Sequence, residues 1–160
     1  MTDSELAYIA GIVDGEGTIS LHGVSKAQQS KTGAYYYPFV QIANTNKKLI
    51  DWLHEKLPVK HAIYGYNRNP DKQKPSWLIQ IRSTHAVEFV KLISHLLIIK
   101  RRQAEILIDY AEGTAGWNGK KNGYWCLANP MPKEICTLRH ELYKECLTLN
   151  RKGPIKAEEI

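Results

Sequence analysis

The chain changes its hydrophobic period once near its start, between Val13 and Thr18, and this change limits the folds open to it. Before that point Leu6, Ile9, Ala10 and Val13 recur at helical spacing, with Asp3 or Ser4 as the expected N-cap. After it, residues 17–24 alternate, with Ile19 and Leu21 on one side and Thr18, Ser20 and His22 on the other. Gly15 and Gly17 stand at the junction and are expected to end the helix. A second extended run over 35–43 sets Tyr36, Val40 and Ile42 against Tyr35, Tyr37 and Gln41. Helical spacing returns over 46–57 through Leu49, Ile50, Leu53 and Leu57, and Pro58 closes it. Strands are expected near 60–67 and 76–82. The second has Trp77, Ile79 and Ile81 on one face and Ser76, Leu78, Gln80 and Arg82 on the other. Helices follow over 84–97 (Ala86, Val90, Ile93, Leu97), 101–112 (Ala104, Leu107, Ile108, Ala111) and 132–149, the last with Ile135, Leu138 and Leu142 inward.

Helix, two strands, helix, two strands, helices: this order predicts an α+β fold in which two antiparallel hairpins pack one face on helices. The other face would carry Tyr, Gln, Ser, Arg and His, side chains that hydrogen-bond or stack. A length of 160 residues suits one domain. The net charge of +6 is spread along the chain and suits a broad basic surface facing a polyanion, with mere solubility as the open alternative. No apolar run approaches the roughly 18 residues a membrane span needs. The start, "MTDSELAYIAG", has neither the basic region nor the cleavage site of a secretion signal, and there are 3 cysteines, an odd number. Both point to a reducing, intracellular setting, cytoplasm and organelle being equally open. Cys136 and Cys146 share an expected helix about 15 Å apart, too far for one zinc site. They read as small buried hydrophobes.

The junction carries two acids. Asp14 and Glu16 stand where a helix already shows partial negative charge from its unpaired carbonyls. Gly15 and Gly17 allow a tight turn and clear bulk from Glu16. A hard divalent cation is one remedy for such crowding: Mg²⁺ takes these oxygens, keeps several waters and shares phosphate. An Asp-Gly-Glu-Gly turn in plain solvent is the equal alternative. Gly11, inside the helix, costs about 1 kcal/mol relative to alanine. Ala7, Ala10 and Gly11 together make a small-residue surface on which a second backbone can approach closely.

Residues 9–17, "IAGIVDGEG", resemble the LAGLIDADG motif of homing endonucleases, along with the apolar helix before them and the strand "TISL" after them. The element order agrees over residues 4–112. The motif occurs once, and single-motif members are homodimers. The resemblance implies an αββαββα core at about 4–112 and a four-stranded antiparallel DNA-binding sheet per subunit; residues from about 113 to 160 lie outside it and read as a C-terminal helical extension of the same domain, 1–160. It implies that Ala7, Ala10 and Gly11 line the dimer axis. Glu16 becomes the metal-binding, catalytic acid, where many members have Asp, and the Gly15 carbonyl a further ligand. Mg²⁺ or Mn²⁺ would support cleavage, Ca²⁺ only binding. Asp14 would tie the motif helix down. Lys100, in "LLIIKRRQAE", takes the basic catalytic position and Asn44 one that orders water.

The wet strand faces would lie in the major groove of a long, pseudo-palindromic DNA target. By strand phase they offer Ser20, His22, Tyr35, Tyr37, Gln41, Tyr64, Tyr66, Arg68, Ser76, Gln80 and Arg82. The hairpin tips add Lys26, Gln28, Gln29, Lys31, Lys72 and Lys74, and Lys48 starts a helix as a phosphate contact. The implied activity is site-specific double-strand cleavage across the minor groove leaving 3′ overhangs, in an intron-encoded enzyme. The alternatives are an RNA-splicing maturase or a non-cleaving DNA-binding protein on the same fold. A basic packaging protein explains the acids at 14 and 16 worst. Other nuclease chemistries fit poorly, because "NPDKQKP" reads as a turn and the histidines are scattered.

Overall fold

Thr2 starts the first helix. The computed structural model describes residues 1–23, 36–67, 71, 74–113, 120–121, 124–125 and 132–151. Helix α1 (Asp3–Glu16) is capped one residue before the expected Asp3 or Ser4. The Thr2 hydroxyl accepts from the Glu5 N–H at 3.2 Å, and the Glu5 carboxylate accepts from the Thr2 N–H at 2.8 Å. This reciprocal box satisfies two otherwise orphaned donors. Ile9, Ala10, Ile12 and Val13 turn inward. The helix runs through Gly15 to Glu16, past the expected stop, and strand β1 (Gly17–Gly23) begins at the next residue. Gly17 is where the absence of a side chain matters: a Cβ there would lie 2.6 Å from the Val13 carbonyl oxygen.

Strands β2 (Tyr36–Asn44), β3 (Ala62–Tyr66) and β4 (Ser76–Arg82) complete a four-stranded sheet in the order β1-β2-β4-β3, antiparallel throughout. Both helix–hairpin units are thus present, and the fold is the expected α+β arrangement. One face carries Ile19, Leu21, Val40, Ile42, Ile79 and Ile81, all fully buried. Each contributes about 2 kcal/mol by leaving water. Against it lie α1, α2 (Lys47–Lys56), α3 (Thr84–Ile93) and α4 (Arg101–Glu112). The Asn46 side chain caps α2 by accepting from the N–H groups of Lys48 and Leu49. A single helix expected over 84–97 is instead α3 followed by a 3₁₀ turn at Ser94–Leu96, yet Ala86, Val90, Ile93 and Leu97 are all buried.

The extension holds a short antiparallel pair, β5 (Lys120–Lys121) with β6 (Tyr124–Trp125), and helix α5 (Lys133–Leu149). Its inward row is Arg139, Leu142 and Cys146, not Ile135, Leu138 and Leu142; Ile135 is half-buried and Leu138 is 36 % exposed. The phase differs because α5 lies along the outer edge of β1 and across α4. Asn150 donates to the Ile19 carbonyl at 2.8 Å, and the Cys146 thiol stands 3.8 Å from the same oxygen. Arg102 on α4 bonds Glu145 on α5 at 2.7 and 3.1 Å, which raises its pKa still further. The Tyr36 hydroxyl meets His140 Nδ1 at 2.7 Å, its ring stacks on Tyr143, and Tyr110 donates to the Tyr36 carbonyl. Among the described residues, no helix is long and apolar enough to cross a membrane.

Candidate functional site

The exit of α1 is tied to the segment before α4. The Asp14 carboxylate accepts from the backbone N–H groups of Ile98 at 2.7 Å, Ile99 at 3.3 Å and Lys100 at 2.9 Å. The Lys100 ammonium donates in return to the Asp14 carbonyl oxygen, setting a cation on the negative end of the helix. Burial pushes the Asp14 carboxyl up, but the three N–H groups and the Lys100 charge outweigh it, and the net shift is downward. The two residues after Lys100 are held by the protein itself. Arg101 donates to the carbonyls of Leu97 and His95, and Arg102 pairs with Glu145, Glu105 and Asp109.

Glu16 is the last residue of α1 and is exposed. Gly15 is exposed too, with nothing within 4 Å of where a Cβ would stand. The exposed Glu16 carboxylate thus follows two residues after the Asp14 carbonyl that takes the Lys100 ammonium. Those oxygens suit a hard cation such as Mg²⁺. Among the described residues no group of three or more His, Cys, Asp or Glu comes together. Asn44 lies at the same end of the sheet, two residues beyond Ile42, the partner of Gly17. Its side-chain oxygen accepts from the Asn46 N–H at 2.8 Å, within the turn into α2.

Helix α1 leaves one face open. Ala7, Tyr8, Gly11 and Gly15 are exposed along it. Ala10, expected with them, is 1 % exposed and faces the chain's own core, because the 3.6-residue turn carries it to the side of Ile9 and Val13. Next to Lys100, Ile98 and Ile99 are 87 % and 70 % exposed.

The sheet face away from the helices is built in rows by the strand register. Thr18, Gln41, Gln80 and Ala62 form one row; Ser20, Phe39 and Arg82 the next; His22 and Tyr37 a third; Ala43, Leu78 and Tyr64 a fourth; Tyr66 and Ser76 a fifth. His22, Tyr64, Tyr66 and Arg82 are exposed, while Tyr37, Gln41, Ser76 and Gln80 are half-buried. Ser20 is a correction: it is 5 % exposed, roofed by α5, with Cys146 Sγ 3.5 Å from its hydroxyl, which donates to the Leu21 carbonyl. The sequence phase was right and the covering helix was not foreseen. Phe39 was missed, although its parity with Tyr37 and Gln41 gave the signal; its ring lies edge-on to His22 at 5.8 Å. Lys48 is exposed in the first turn of α2, and Lys74 is exposed just before β4. Lys26, Gln28, Gln29, Lys31, Tyr35, Arg68 and Lys72 lie outside the described residues.

No family model and no curated protein sequence matches the chain. Solved structures do. The homing endonuclease I-CvuI, in complex with the I-CreI target in the presence of Mg and with the DNA not cleaved, superposes with a TM-score of 0.70 at 16 % identity, over 98 % of this chain and 89 % of that one. I-CvuI with its own target in the presence of Ca gives 0.67 at 16 % identity, over 97 % and 88 %. A point mutant of I-SmaMI gives 0.54 at 13 % identity, over 94 % of this chain and 46 % of that one. The fold is that of a LAGLIDADG-type homing endonuclease.

Proposed function

We propose that the chain is a site-specific, Mg²⁺-dependent DNA endonuclease that acts as a homodimer. The observation that carries this reading is the position of Glu16: an exposed carboxylate at the end of a helix whose Gly11 and Gly15 face is open. Two copies joined along that face would bring two such carboxylates beside one axis. Coverage supports the pairing. The chain spans 89 % of I-CvuI but 46 % of I-SmaMI, so one I-SmaMI chain has room for about two such units. Each subunit would lay its rows of His22, Tyr37, Gln41, Gln80 and Arg82 into a major groove, which admits a two-stranded ribbon.

Glu16 and the Gly15 carbonyl would hold the cation; when bound, it neutralises charge on the phosphate and lowers the pKa of water. Lys100, already set on the Asp14 carbonyl, keeps a positive charge at the cutting corner, where charge develops in the transition state. Asn44 would help order water from the neighbouring strand end. Cleavage across the minor groove, 3′ overhangs, a long pseudo-palindromic target and intron encoding belong to the same reading. The exposed acid at this corner favours cleavage over a maturase or a non-cleaving binder on this fold.

The test is a plasmid library of random inserts, incubated with Mg²⁺ and sequenced at the new ends. The wild-type protein should linearise plasmids at one pseudo-palindromic motif. Glu16→Gln should cut more than about 100-fold slower and still shift the same DNA in a gel. A Glu16→Gln protein that cuts at the wild-type rate sinks the proposal.

A further inference from the structure

Gln80 and Arg82 stand two residues apart on β4 and therefore on one face. Arg82 Nε donates to Gln80 Oε1 at 2.6 Å. A guanidinium has donors only, so the carboxamide must show it the oxygen. That settles the orientation of the amide, which is otherwise ambiguous. The groups left to face outward are the Gln80 amide N–H₂ and the outer N–H groups of Arg82, all donors, beside the one lone pair that the Gln80 oxygen keeps. Their neighbours by register are Gln41 and Ala62 across from Gln80, and Phe39 across from Arg82. Ala62 and Phe39 add no polar side-chain atom, and Gln41 adds a second carboxamide.

A free glutamine reads adenine by using both ends of its amide, donating to N7 and accepting from the N6 amino group. Here one lone pair of the accepting end is taken, in a bond strengthened by the arginine's charge, and the other lies beside that charge. The amino hydrogens of adenine or cytosine would meet a positive group. Guanine instead shows two acceptors in the major groove, N7 and O6. We infer that Gln80 and Arg82 act as one donor-dominated reader of guanine, specifying one G·C pair in each half-site. The inference rests on the DNA-binding reading above and adds to it which base this strand selects.

The test selects bound duplexes from a library with a randomised half-site, with Ca²⁺ in place of Mg²⁺, for the wild-type protein and Arg82→Ala. Arg82 is exposed, so its removal leaves the core intact, and an unchanged thermal unfolding curve checks this. The wild type should enrich guanine at one position about tenfold over adenine, the scale of one bidentate contact. Arg82→Ala frees the Gln80 oxygen and should turn that position toward adenine, leaving the rest of the motif unchanged. If both proteins select the same motif, or the wild type shows no position where guanine is lost on substitution, the guanine reader is refuted and site-specific DNA binding stands. If the wild type selects no motif at all, the DNA-binding reading itself fails and takes this inference with it.

Discussion

Asp14 carries more of the architecture than the acid beside it. Its carboxylate gathers three N–H groups from Ile98, Ile99 and Lys100, at least 84 residues further along the chain. Its folded-state pKa lies below the ordinary value of 3.8, so its contribution is complete above that range and is lost as the pH falls through it. Asp14→Asn should cost about 2 kcal/mol near neutral pH, the scale for hydrogen bonds to a charged group. The gap between wild type and variant should close in acid. Urea unfolding at about pH 7 and about pH 3 measures both. The resemblance at 9–17 already implied Asp14 as a tie, but not its partners, because nothing local names residues so distant. Ser20 shows the same boundary. Alternation put it on the polar face correctly, and only packing shows Cys146 above it, 126 residues away.

Helix α1 passes into β1 without a loop, and the three glycines nearby do different work. At Gly17 a Cβ would strike the Val13 carbonyl oxygen at 2.6 Å and the Val13 Cα at 2.9 Å, both backbone atoms that cannot swing aside. Gly17→Ala should therefore cost about 1–3 kcal/mol, as overpacking does, and lower Tm by about 2–4 °C for each kcal/mol. At Gly15 the same addition meets open space, so Gly15→Ala should unfold at the wild-type temperature or above it. Circular dichroism melts of the two variants separate the cases. The period change located this junction correctly from sequence. The strands and their faces were equally readable, since Ile19, Val40, Ile42, Ile79 and Ile81 are all buried as alternation requires. Less readable was α5, whose buried stripe falls on Arg139, Leu142 and Cys146. Its amphipathic pattern is weak, and its packing against β1 and α4 selects a different row.

Assembly is the level least visible in a single chain. Ala7 and Gly11 are exposed together on α1, but Ala10 is committed to its own core, and one hydrophobic pattern cannot say which small residues wait for a second copy. Gly11 discriminates. A Cβ there meets nothing within 4 Å in the lone chain, so Gly11→Leu should fold at least as well as wild type and gain about 1 kcal/mol of helix propensity. It would block close approach of another α1. Light scattering should then report a mass of one chain for the variant and of two for the wild type, and cleavage should vanish with the pairing. A Gly11→Leu protein that remains dimeric places the joint elsewhere. The two margins of the sheet are also unequal. Asn150 and Cys146 occupy the outward carbonyl of β1, whereas β3 ends the sheet with no described strand beyond it and with Tyr64 and Tyr66 exposed along it. Among the described residues that second margin is the less covered one, so a pull toward fibre growth or a foreign strand would act there most, and a protective charge would be best introduced there.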